Sequence, residues 1–195
     1  DSRIDRQFEF FREIDKEKFI GRQTYLTDGQ RKENDAEHAW HMAIMAILLS
    51  EYSNEKIDVL KTVTMLLIHD LVEIDAGDTY AYDEEGKKTK RVRELAAADR
   101  IFGLLPEDQG EKMRGLWDEF EAGETAEAKF AHAMDNLQPL LLNSSNGGGD
   151  WKEHQVTAKQ VYGRQRKTRL GSEVLYQVTD QILQEHIRKG NLDAG

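Results

Sequence analysis

Several side chains stand where their surroundings make them costly. The segment TVTMLLIHDLVEIDAGD is apolar from Val63 to Ile74 except at His69, Asp70 and Glu73. A helix that is apolar nearly all the way round is a buried helix. Burying an imidazole and two carboxylates is unfavourable by several kcal/mol unless they are paired or hold a cation. Two other stretches carry matching anomalies. In DAEHAWHMAIMAILL, His38 falls in register with Met42, Met45 and Leu49; in AKFAHAMDNLQPLLL, Asp135 falls in register with Ala131, Gln138 and Leu142. A lone histidine or aspartate on such a stripe is often just a hydrogen-bonded core residue. His38, His69, Asp70 and Asp135 together, on three apolar helices, point instead to a shared metal ion.

Two imidazoles and two carboxylates form a nitrogen and oxygen donor set with room for water or substrate oxygens. Such a set suits one divalent transition metal: six-coordinate Mn, Co, Fe or Ni, or Zn with expanded coordination. An open position lets the metal orient a phosphoryl oxygen and acidify a water. Glu73 is then a candidate for proton transfer and Asp78 a second carboxylate at the loop edge; the alternatives are a surface residue at a helix end and a loop cap. Arg22, in the mixed segment FIGRQTYL, is the best candidate to meet a phosphate. The basic runs KKTKRVR (87–93) and GRQRKTR (163–169) read largely as solvated faces. His41 reads as a support or surface residue, and His132, His154 and His186 as structural or surface. The chain has no P-loop, dinucleotide fingerprint, G-x-S-x-G or H-E-x-x-H.

The elements that must position these groups are helical. Only two prolines occur, and apolar positions recur at helical spacing through most of the chain. Helices are expected at about 4–19, 35–52, 55–74, 89–105, 107–121, 125–145, 151–161 and 171–188. Asn34-Asp35 is the expected N-cap of the second, and Ser53 or Asn54 that of the third. Residues 75–88 and the run NSSNGGGD (143–150) read as loops. Pro139 has no N–H for the Asp135 carbonyl, so a kink or local unwinding is expected there. No stretch alternates long enough to demand a sheet.

Composition narrows the partners. The 195 residues suit one domain (1–195), with a core over about 8–145 and a helical C-terminal extension over about 150–190. There is no cysteine, which excludes disulfides and thiolate ligands and agrees with an expected cytoplasmic setting. The opening stretch shows no basic-then-apolar leader pattern, and apolar runs such as MAIMAILL are too short to span a bilayer. A net charge of −10 disfavours nucleic-acid polymers as partners. A small anion remains compatible, because a bound cation and a few arginines dominate the field inside a pocket.

The ordered set His38, His69-Asp70, Asp135 resembles the H…HD…D signature of the HD-domain superfamily of metal-dependent phosphohydrolases. EHAW, HDLVEIDAGD, LLPED and LWDEFEAGETAEAKFAHAMDNLQPLL narrow the likeness, over roughly residues 8–145, to the branch of bacterial 5′-deoxynucleotidases and their eukaryotic relatives. The resemblance implies an all-α fold, a single compact HD-domain bundle, and a homodimer. It also implies hydrolysis of (deoxy)ribonucleoside 5′-monophosphates with a divalent metal. By position, His38, His69, Asp70 and Asp135 would be ligands, Glu73 and Asp78 would serve water activation and substrate contact, and Arg22 would meet the phosphate. Where relatives carry a tryptophan just after that arginine, Gln23, Thr24 and Tyr25 follow here. The competing readings are another small phosphate ester or a guanosine polyphosphate as substrate, or a non-catalytic binding protein that the metal only stabilises.

Overall fold

A computed structural model describes residues 2–195. α1 (Arg3–Ile14) starts at a reciprocal capping box between Ser2 and Asp5 and runs into a 3-10 turn, Asp15–Phe19. The chain then makes a small antiparallel hairpin of β1 (Gly21–Tyr25) and β2 (Lys32–Asn34), pairing Gly21 with Asn34 and Tyr25 with Lys32. No sheet was expected, because strands this short show no alternation. Asn34 ends β2 and at once caps α2 (Asp35–Leu49), in a second capping box with Glu37. The cap expected at Asn34 is therefore present. That of α3 (Val59–Ile68) is Asp58, not Ser53 or Asn54.

The expected continuous helix over 55–74 is broken at the residues that carry the chemistry. α3 ends at Ile68, His69 to Val72 form a turn, and α4 (Glu73–Ala76) follows as a single helical turn. The His69 carbonyl accepts the Trp117 indole N–H at 3.2 Å, and the Asp70 carbonyl accepts the Glu73 N–H at 2.9 Å. The peptide groups of the break thus keep partners. α5 (Glu84–Phe102) and α6 (Glu107–Ala122) follow. α7 (Ala126–Ser145) continues as helix through Pro139, without the local unwinding expected there.

The C-terminal part also differs from expectation. α8 (Gly149–Glu153) is short, and Thr157 with Gln160 caps a separate α9 (Ala158–Gly171) across a region where only a helix to residue 161 was expected. α10 (Glu173–Arg188) closes the chain. One hydrophobic core joins α2, α3, α7, α9 and α10 through Met42, Met65, Phe130, Met134, Val161 and Leu183. A second, around Ile101, Phe102 and Trp117, fixes α1, α4, α5 and α6. Among the described residues no helix is long and apolar enough to cross a membrane.

Candidate metal centre

α2, the break after α3, and α7 bring four groups to one place. The facing nitrogens of His38 and His69 and an oxygen of Asp135 lie within 4.8 Å of one another. His38 Nε2 is 3.0 Å and His69 Nε2 3.6 Å from the same Asp135 oxygen, and His69 Nε2 is 3.1 Å from Asp70. Both histidines are held by their other nitrogen. His38 Nδ1–H donates to the Gln138 side-chain carbonyl at 2.6 Å, and His69 Nδ1–H donates to the Leu66 carbonyl at 2.8 Å. Each ring therefore turns Nε2 toward the centre, where loss of its proton would leave a lone pair for a metal.

The charge balance of the site calls for a cation. His69 Nε2 and Asp70 Oδ2 are buried without hydrogen-bond partners. Burial works to lower the His69 pKa, but Asp70 and Asp135 overcome it and push the pKa up to about 10. His38 is raised as well: burial and Arg22 oppose the rise, while hydrogen bonds to Asp135 and Glu33 outweigh them. Asp135 is driven the other way, well below the ordinary carboxylate range; burial opposes this, and the two imidazoles prevail. A site that draws in protons so strongly in the absence of metal has the donor chemistry a divalent ion needs.

A second carboxylate cluster adjoins the first. Oxygens of Asp35, Asp70 and Glu73 lie within 4.8 Å of one another, and both Asp35 oxygens and Glu73 Oε2 are buried without partners. Burial first and the Asp70 charge second raise both Asp35 and Glu73, while Arg22 opposes the rise at Asp35. Arg22, on β1, is the counter-ion: its Nε donates to Glu33 at 3.0 Å, and its Nη1 lies 3.6 Å from Asp35 and 3.7 Å from Asp70. Burial disfavours the guanidinium, yet Asp70, Glu33, Asp78 and Glu73 hold it firmly charged. Asp78 is half-buried and raised, mainly by burial.

Arg22, His69, Asp70, Glu73, Asp78 and Asp135 all line one cavity of about 560 Å³. Its other walls include Lys87 and Lys90 from α5 and Arg164 and Lys167 from α9, so part of each basic run faces the cavity as well as solvent. Gln23 and Thr24 also line it. His41 supports the network rather than the centre, with its Nδ1 3.1 Å from the Gln138 amide nitrogen. His132 Nε2–H donates to the Phe120 carbonyl at the cavity wall, His154 lies tilted against Tyr80, and His186 meets Asn191.

Sequence reasoning missed Glu17, Glu33, Asp35 and Gln138. Gln138 Nε2 donates to Glu33 at 2.8 Å, so one amide joins the His38 ring to the carboxylate that holds Arg22. The available signal was its place one turn after Asp135 on the same apolar stripe. Glu17 is buried on the 3-10 turn; burial, with Asp70 and Asp35 nearby, pushes it up to about 8.

Several known proteins are similar to this chain. A human 5′-deoxynucleotidase is 34% identical over 115 residues, 59% of this chain and 55% of that protein. A 5′-deoxynucleotidase of Dictyostelium discoideum is 30% identical over 139 residues, 68% of this chain and 73% of that one. The chain thus spans about half the length of curated relatives such as the human protein. A crystal structure described as a predicted metal-dependent phosphohydrolase from Magnetospirillum magnetotacticum MS-1 is 50% identical. It superposes with a TM-score of 0.95, covering 98% of this chain and 96% of that one. The HD domain model matches residues 14–175, a span that takes in His38, the His69-Asp70 break and Asp135, and the chain belongs to the HD domain family.

Proposed function

We propose that this protein is a metal-dependent phosphohydrolase that releases phosphate from (deoxy)ribonucleoside 5′-monophosphates. The observation that carries this reading is the pair of inward-turned imidazole nitrogens, His38 Nε2 against Asp135 and His69 Nε2 without a hydrogen-bond partner, beside a cavity whose walls include Arg22, Asp70, Glu73 and Asp78. His38, His69, Asp70 and Asp135 would hold one divalent ion, with Mn, Co, Fe, Ni or Zn all compatible with the donor set. When bound, that ion supplies Lewis acidity toward a phosphoryl oxygen and acidifies a water.

The remaining work falls to the chain's own groups. Glu73 takes the proton of the attacking water as the new P–O bond forms and the ester P–O bond breaks, and the leaving oxygen is protonated from the open cavity. A general base must be ionised; burial and then the Asp70 charge raise Glu73, and a cation held by Asp70 would oppose the second of these. Arg22, fixed by Glu33, orients the phosphate, and Asp78 stands at the loop edge where the rest of the substrate enters. A purely structural metal would give no use to spare buried carboxylates facing the same cavity.

The chain would work as a homodimer. α2 exposes Trp40, Ile44, Ile47 and Leu48 along one stripe, and α3, which packs beside it, exposes Leu60 and Leu67. An exposed apolar stripe of this kind marks an association surface.

The test is phosphate release from dAMP and AMP side by side, using protein stripped of metal and refilled with Mn or Co. Release from dAMP well above that from AMP is the deoxynucleotidase result, with Gln23 and Thr24 standing in for the missing tryptophan. Equal release would keep the phosphohydrolase and remove the sugar selectivity. Release from neither, with activity on another phosphate ester, would move the substrate and contradict the nucleotide assignment.

A further inference from the structure

Arg22 is the cation closest to the candidate metal centre, but its charge is already shared among carboxylates. Its Nε is taken by Glu33, and Nη1 lies between Asp35 and Asp70. A phosphate dianion entering the cavity also meets Glu73, Asp78 and Asp135. Beyond a metal ion and this arginine, the positive charge for that approach must come from the other cavity walls, where Lys87 and Lys90 of α5 and Arg164 and Lys167 of α9 stand.

Lys90 lines the same cavity from α5. Its ammonium stands 3.4 Å from Glu94 Oε1, well beyond the roughly 2.7–2.9 Å of a settled charge-assisted hydrogen bond. Glu94 is a fixed anchor, with only 7% of its side chain exposed, whereas the Lys90 side chain is 41% exposed. Burial works against the ammonium, but Glu94, Asp70, Glu73 and Asp135 together hold its pKa above the ordinary lysine value. The charge is thus permanent and lies within the field of the centre's own carboxylates. Lys87, one turn earlier, is different: it is bound at 2.8 Å by the exposed Glu84, as a surface pair.

We propose that Lys90 is a phosphate-binding residue of this site, resting at a distance on Glu94 and moving onto a phosphoryl oxygen when the substrate arrives. A lysine suits the task, since its compact charge rides on a flexible four-carbon stem. The assignment rests on the phosphohydrolase reading above, and no bond is made or broken by Lys90 itself.

Calorimetric titration of inorganic phosphate into the Mn-loaded full chain tests it, with metal content measured on each protein. Lys90→Met binds phosphate at least tenfold more weakly than wild type with its metal retained, Lys90→Arg recovers most of the loss, and Lys88→Met, a surface lysine paired with Glu85 outside the cavity, is unchanged. Steady-state kinetics of Lys90→Met show the loss in KM more than in kcat. Binding by Lys90→Met within twofold of wild type overturns the proposal, and so does loss of the metal, which would make Lys90 a support of the centre. Wild-type protein that takes up metal but binds no phosphate overturns the phosphohydrolase reading itself, a result distinct from a failure of Lys90 alone.

Discussion

His38 and His69 show how individual side chains are tuned before any metal arrives. One gives its Nδ1 proton to Gln138 and the other to the Leu66 carbonyl, so both rings are locked with Nε2 inward. These residues were legible in the sequence because each interrupts an apolar stripe. Glu17, Glu33 and Asp35 were not, because DKEKF and KENDAEH are rich in charge and give no contrast against which one carboxylate stands out. Glu17 carries a measurable consequence. Its folded-state pKa is raised from 4.5 to about 8, so the unfolded chain sheds this proton first as pH rises. The stability tied to it is complete below pH 4.5 and is lost progressively up to about pH 8. In chelator-treated protein, Glu17→Gln gains about 1–3 kcal/mol over wild type at pH 8 relative to its standing at pH 4.5, measured by urea unfolding. An equal difference at both pH values would show that Glu17 is not a buried, proton-holding group.

At the scale of elements, the informative feature is where regular structure stops. α3 ends at Ile68; His69 still bonds the Met65 carbonyl through its N–H, and the regular helix stops in the turn that carries Asp70 to Val72. The apolar run predicts burial of this segment and says nothing of the break, since the Trp117 contact that replaces a helical partner comes from distant α6. The hairpin escaped notice for a similar reason: its strands are stabilised by their neighbours and not by a pattern of their own. The α7–α9 contact was equally hidden, and it depends on a close approach. A Cβ on Gly171 would lie 2.5 Å from the Lys129 carbonyl oxygen and 2.9 Å from Phe130 Cα. Both are backbone atoms of α7 and cannot swing aside. Gly171→Ala therefore costs about 1–3 kcal/mol of stability, read as a lowered denaturant midpoint, and an unchanged midpoint would mean that α9 is free to shift off α7.

For the whole molecule, the cavity is a joint product of segments far apart in sequence: β1, the α3–α4 break, α5, α7 and α9. Composition gave the acidic total and the helical class, but the meeting of Arg22, Lys90 and Arg164 on one cavity follows only from the packing. The same packing leaves Ile47 and Leu48 of α2 53% and 67% exposed. Light scattering should report twice the 22.4 kDa chain mass, and the Ile47→Asp, Leu48→Asp double variant should return it to the single value. A single-chain mass for wild type would remove the dimer.

The most direct test of the central claim is phosphate release from dAMP as metal-stripped protein is titrated with Mn. Activity that rises from zero and saturates near one equivalent per chain in wild type, and never appears in Asp135→Asn, is the expected result. Release that is already present without metal, or that Asp135→Asn retains at full strength, would contradict a hydrolytic centre built from His38, His69, Asp70 and Asp135.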